Sequence, residues 1–132
     1  MFHSIIGYYD PKGIFVTAYV EEYKKEDLKT LLNTFDTIEK AKKLVSYAYI
    51  KNIPTDISNI EKINPDNLLP ENRLKVQKFS TEERMLLRCH WSDANFIFIY
   101  SPSNGWFFGV VKPTDTKIHF IKLSKYVSKY CK

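Results

Sequence analysis

The sequence predicts an α+β fold, with a mainly antiparallel sheet made of an N-terminal hairpin and a C-terminal four-stranded meander, packed against two helices. Three observations carry this reading. Residues 2–9 and 14–21 are rich in β-branched and aromatic side chains and flank a turn sequence, Asp10-Pro11-Lys12-Gly13. Leu28, Leu31, Leu32 and Phe35 recur at helical spacing. The last third strings short apolar runs between turn residues.

In the first turn, Asp leads, Pro takes the second position and Gly13 is free to adopt positive φ, which suits a type I turn. A helix follows over 25–35, with Glu26 and Asp27 in its first turn, where negative charge suits the dipole. A second helix is expected to start at Asp36, because Asp36-Thr37-Ile38-Glu39 has the capping-box pattern. Its apolar stripe is Ile38, Ala41, Leu44, Val45 and Ala48, with Lys40, Lys42 and Lys43 off the stripe. Asn52 and Pro54 mark its end.

Residues 52–81 hold three prolines and five asparagines, which break any long element. Ile57, Ile60 and Ile63 suit a short helical turn, and Leu74, Val76 and Phe79 a short strand. The meander strands are expected at 84–91, 95–101, 105–111 and 117–123, with turns at 101–105 and 113–116. The runs 95–101 and 105–111 are apolar on both faces, as in central strands. Lys117, His119 and Lys122 interrupt the fourth strand, as at a sheet edge. Ser124 is placed to cap a last helix over 125–131.

At 132 residues, a single domain spanning 1–132 is expected. Aromatic residues make up 15% of the chain, and they need a core or a surface to occupy. Cys89 and Cys131 are too few for a disulfide framework. The opening MFHSIIGYYD has neither a basic stretch nor a long apolar one, so a secretion signal is not expected. No run approaches the ~18 apolar residues of a membrane helix. A cytoplasmic protein without a membrane partner follows as the expectation. Abundant Lys, Ile, Asn and Tyr with little Ala is a composition shared by many phages and mobile elements.

No pattern points to a cofactor or a metal. Phosphate-cradling glycine motifs are absent. His3, Cys89, His90, His119 and Cys131 lack the paired spacing of zinc ligands. Cys89-His90-Trp91-Ser92-Asp93 gathers reactive types, but neighbours on a strand point to opposite faces and cannot meet. Gly109, inside a strand run, suggests a bulge or a close approach, filled by an aromatic ring of a neighbouring strand. Phe96, Phe98, Tyr100, Trp106, Phe107 and Phe108 invite a base-stacking reading. With no Lys or Arg between 94 and 111, core packing is the expectation.

The charge is the functional clue. Residues 1–111 hold 14 basic and 14 acidic side chains, while 112–132 hold six Lys against Asp115 and carry the whole net +5. Lys117, His119, Lys122, Lys125, Tyr126, Lys129 and Tyr130 are the candidate anion-binding residues. Edge protection and helix capping explain some of these lysines structurally. Three functions follow. The first is a non-enzymatic protein whose basic end engages nucleic acid or a phosphorylated small molecule. The second is a protein-interaction module, such as a phage-like inhibitor or adaptor of a host protein, with 52–81 as its contact surface. The third is an enzyme on His90, Asp93 and His119, which requires those side chains to converge. A dimer paired through an open sheet edge is compatible with all three.

Overall fold

The computed structural model describes residues 2–55, 61–62 and 76–130. The two hairpin strands form as expected: β1 (His3–Asp10) pairs antiparallel with β2 (Ile14–Val20). Asp10 closes the turn twice over. Its carbonyl accepts the Gly13 N–H at 2.8 Å and its carboxylate accepts the Lys12 N–H at 2.8 Å, with Gly13 at φ 85.

Helix α1 (Asp27–Thr34) buries Leu28 and Leu31, and α2 (Ile38–Val45) buries Ala41, Leu44 and Val45. The cap of α2 is Thr37, whose hydroxyl accepts the Lys40 N–H at 3.2 Å. Asp36, the expected cap, forms a salt bridge with Lys40 instead. This helix also ends earlier than expected. Ala48 takes φ 67 and turns the chain, so Tyr49–Asn52 is a strand, β3, rather than a helical tail. Strand β4 (Glu61–Lys62) pairs with β3, and β5 (Gln77–Phe79) with β2. The expected turn at Ile57, Ile60 and Ile63, and Leu74 of the expected strand, lie outside the described residues.

The largest correction concerns 84–91, which is not a strand. Glu82–Trp91 is a helix, α3, capped by Thr81, whose hydroxyl accepts the Arg84 N–H at 3.2 Å. Met85, Leu86 and Cys89 form its buried stripe, at helical spacing. The meander therefore has three strands: β6 (Ala94–Ser101), β7 (Gly105–Val110) and β8 (Phe120–Lys122). The last of these, expected at 117–123, is far shorter, because Leu123 already begins the final helix, α4 (Leu123–Tyr130).

Seven strands run in the order β4-β3-β2-β1-β6-β7-β8, and β5 shares the outer edge of β2 with β3. The sheet is mixed, not mainly antiparallel. Helices α1 and α2 carry the chain across so that β3 lies parallel to β2, and α3 feeds β6 in parallel beside β1. Helices also cover both faces, not one. Even-numbered side chains of β1 and β2 (Ile6, Val16, Ala18, Val20) pack under α1, α2 and α4. Ile5 and Phe15 face the other way, toward Met85, Leu86 and Cys89 of α3. The class is thus α+β with four helices among the described residues.

The aromatic run is a packed cluster. Phe98, Tyr100, Trp106 and Phe108 are buried, and Phe98 and Phe108 stack at 5.1 Å. Gly109 is a close approach, as expected, but aliphatic groups fill it. A Cβ there would sit 2.9 Å from Ile118 and 3.1 Å from Ile97. No described helix is long and apolar enough to cross a membrane.

Candidate functional site

The basic end is organised by a few apolar anchors. Ile118 is buried over Gly109, while its neighbours Lys117 and His119 are exposed. Leu123 is fully buried, and Tyr126 and Val127 pack on the same core. The Tyr126 ring meets Phe108 edge-on at 4.9 Å, so this candidate contributes to packing. Lys125 and Lys129, one turn apart on α4, are exposed, as is Lys122 on β8. Tyr130 is the last residue of α4. Strand β8 ends the strand order, with no strand on its outer edge among the described residues.

Asp115, the sole acid of the segment, is committed locally. Its carboxylate accepts the Lys112 N–H at 2.9 Å, and its carbonyl accepts the His90 Nε2–H at 2.9 Å. Among the described residues no ion pair engages Lys117, Lys122 or Lys125.

The His90 contact belongs to a polar cleft of about 230 Å³ between the end of α3 and the start of β6. His90, Asp93, Asn95 and Lys112 line it. His90 and Asp93 thus come together through a helix end, with Asp93 at φ 56 reversing the chain into β6. His119 does not line this cleft. Cys89 reaches it from the buried side of α3, where burial pushes its thiol up to about 12. No group of three or more His, Cys, Asp or Glu able to hold a metal ion occurs among the described residues.

A larger cleft, about 380 Å³, opens on the α3 side of the sheet and was not anticipated from sequence. It lies at the carboxyl ends of the parallel neighbours β1 and β6, where open α/β sheets commonly place ligands. Tyr9, Phe15, Phe107 and Phe120 supply its rings and Ile99 part of its floor. Glu82, at the start of α3, and Ser101 supply its polar groups. Strand alternation already puts Tyr9 and Phe15 on one face. That this face stays partly open depends on α3, whose helical character decides where the cover ends.

No protein-family model, curated protein or solved structure matches this chain.

Proposed function

We propose that this is a non-enzymatic binding protein whose basic C-terminal end engages a nucleic acid. The observation that supports the reading is the set of exposed lysines of this end: Lys117 before β8, Lys122 on it and Lys125 on α4. Lys117, Lys122 and Lys125 have no ion pair among the described residues, and the local acid is occupied by its own turn. A phosphorylated small molecule fits less well, because such ligands bind in concave pockets. Neither described cleft is lined by these lysines. A polyanion needs only a surface of matching charge.

The test is a titration with fluorescent duplex DNA and single-stranded RNA of random sequence across 50–200 mM salt. Four lysines that each neutralise a duplex phosphate give a log–log slope of about −3.6. Replacing Lys122, Lys125 and Lys129 together by Glu abolishes the binding. An affinity that does not change with salt sinks the proposal.

A second reading, the protein-interaction module of phage or mobile-element type, has its own support. Trp91 is 82% exposed and Leu87, one turn earlier on α3, is 57% exposed. Exposed Trp is a frequent anchor of protein interfaces. A stoichiometric protein partner in native mass measurements, lost in Trp91→Ala but kept in the triple Glu variant, favours this reading over the first.

A further inference from the structure

We infer that the larger cleft on the α3 face is a binding site for a small organic cation, an alkylated ammonium group on an apolar body. Its walls are four aromatic rings, from Tyr9, Phe15, Phe107 and Phe120. Tyr9 and Phe15 pack edge to face, 4.8 Å apart at 80°. Rings carry a negative face, and a cation over them is attracted most when its water has been removed. Charge at the rim points the same way. Among the described residues, Glu82 is the single charged residue of the lining, and its carboxylate has no ion pair or hydrogen bond.

Among the described residues, Lys, Arg and His are all missing from that lining. Lys122 stands opposite Phe107 in the β7–β8 register and shares its face of the sheet, beside the cleft rather than among the residues that line it. An anion would meet the Glu82 carboxylate and the negative ring faces together. A neutral apolar ligand would fill the space and leave the carboxylate unused. The volume, about 380 Å³, lies in the range of small-molecule sites, roughly 300–1,000 Å³. The polar remainder of the site is hydroxyl: Ser101, and Tyr9, which is 39% exposed.

The two sites share only β8, which supplies Phe120 to the cleft and Lys122 to the basic end, so variants on α4 separate the two readings. The experiment uses three probes that share one ring and differ in charge: benzyltrimethylammonium, benzyl alcohol and benzoate. Each is titrated into the full chain and followed by aromatic carbon–proton NMR. We expect saturable shifts of Tyr9 and Phe107 with the cation, at least fivefold weaker binding of the alcohol and no binding of benzoate. Glu82→Gln, at an exposed position, weakens the cation at least threefold, and Phe107→Ala removes its binding while the Trp106 signals report an intact core. The double variant Lys125→Glu, Lys129→Glu, on α4 against the opposite face of the sheet, leaves cation binding unchanged. Equal affinity for all three probes, shifts confined to other residues, or a Glu82→Gln variant that binds as well as the parent overturns the inference.

Discussion

The indole N–H of Trp106 donates to the Phe35 carbonyl at 2.7 Å, joining positions 71 apart in sequence. Phe35 is the C-cap of α1, so this carbonyl is one that the helix itself leaves without a partner. Next to it, the Tyr100 hydroxyl donates to the Asp36 carbonyl at 3.2 Å, and the two rings meet edge-on at 5.3 Å. The link between α1 and α2 is thereby fastened to β6 and β7. Trp106→Phe leaves a buried acceptor empty and is expected to cost about 1–3 kcal/mol in urea unfolding. Tyr100→Phe, at a partly buried site, costs less. Equal stability of Trp106→Phe and the parent would remove the carbonyl contact from the account.

Asp27 makes stability depend on pH. It is buried at the start of α1, and desolvation raises its carboxyl to about 6, against the opposing hydrogen bond from the Lys24 N–H at 2.9 Å. A folded-state value above the unfolded one means that the folded chain holds the proton more tightly. The contribution is fully present below about pH 4 and is lost as pH rises through 6. Relative to Asp27→Asn, which keeps the acceptor without the charge, the parent should lose about 2 kcal/mol between pH 4 and pH 7. Paired urea titrations at the two pH values measure that difference. A constant offset between the two proteins contradicts it.

Gly7 sits in the middle of β1, where a Cβ would lie 2.5 Å from the Val16 carbonyl oxygen and 2.8 Å from Thr17 Cγ2. A backbone atom cannot swing aside as the end of a long side chain does. Gly7→Ala is therefore expected to destabilise by about 3 kcal/mol, at the upper end of ordinary overpacking. Gly105→Ala, with open space around its Cβ, tests φ alone, since it sits at φ 79. It should cost about 1 kcal/mol. Thermal unfolding of the pair separates clash from conformation.

The Cys89 thiol is fully buried and held in its protonated form. In a Cys131→Ser background, its reaction with an aromatic disulfide reagent at pH 8 is expected to follow unfolding, and so to accelerate with urea as stability falls. Fast stoichiometric reaction in native buffer contradicts its burial.

What could be read from sequence follows the range of each interaction. The β1–β2 hairpin was legible because Asp10 and Gly13 set the turn by contacts inside the turn itself. The α2 start was legible to within one residue, since Asp36 and Thr37 both suit a cap and only the Lys40 pairing separates them. Helix α3 had its own signal, Thr81 followed by Glu82 and Glu83, but the short apolar run Met85-Leu86-Leu87 reads equally as strand. The parallel pairings were out of reach, because nothing local says that His3–Tyr8 will lie beside 94–100. The charged end was visible as composition. The aromatic cleft was not, because it exists only where five strands and α3 meet.

The β1–β6 pairing bears on how the molecule is made. Its paired residues, such as His3 and Ala94, are about 90 positions apart, so the centre of the sheet closes on a long loop. A fold with so distant a central contact forms slowly compared with one built from neighbours. During synthesis the first hairpin emerges with one side of β1 bare, and it stays bare until 94–101 arrives. An unpaired, apolar strand edge is a site of wrong association between chains. Yield and solubility are therefore expected to depend on the integrity of β6 far more than on that of any surface helix.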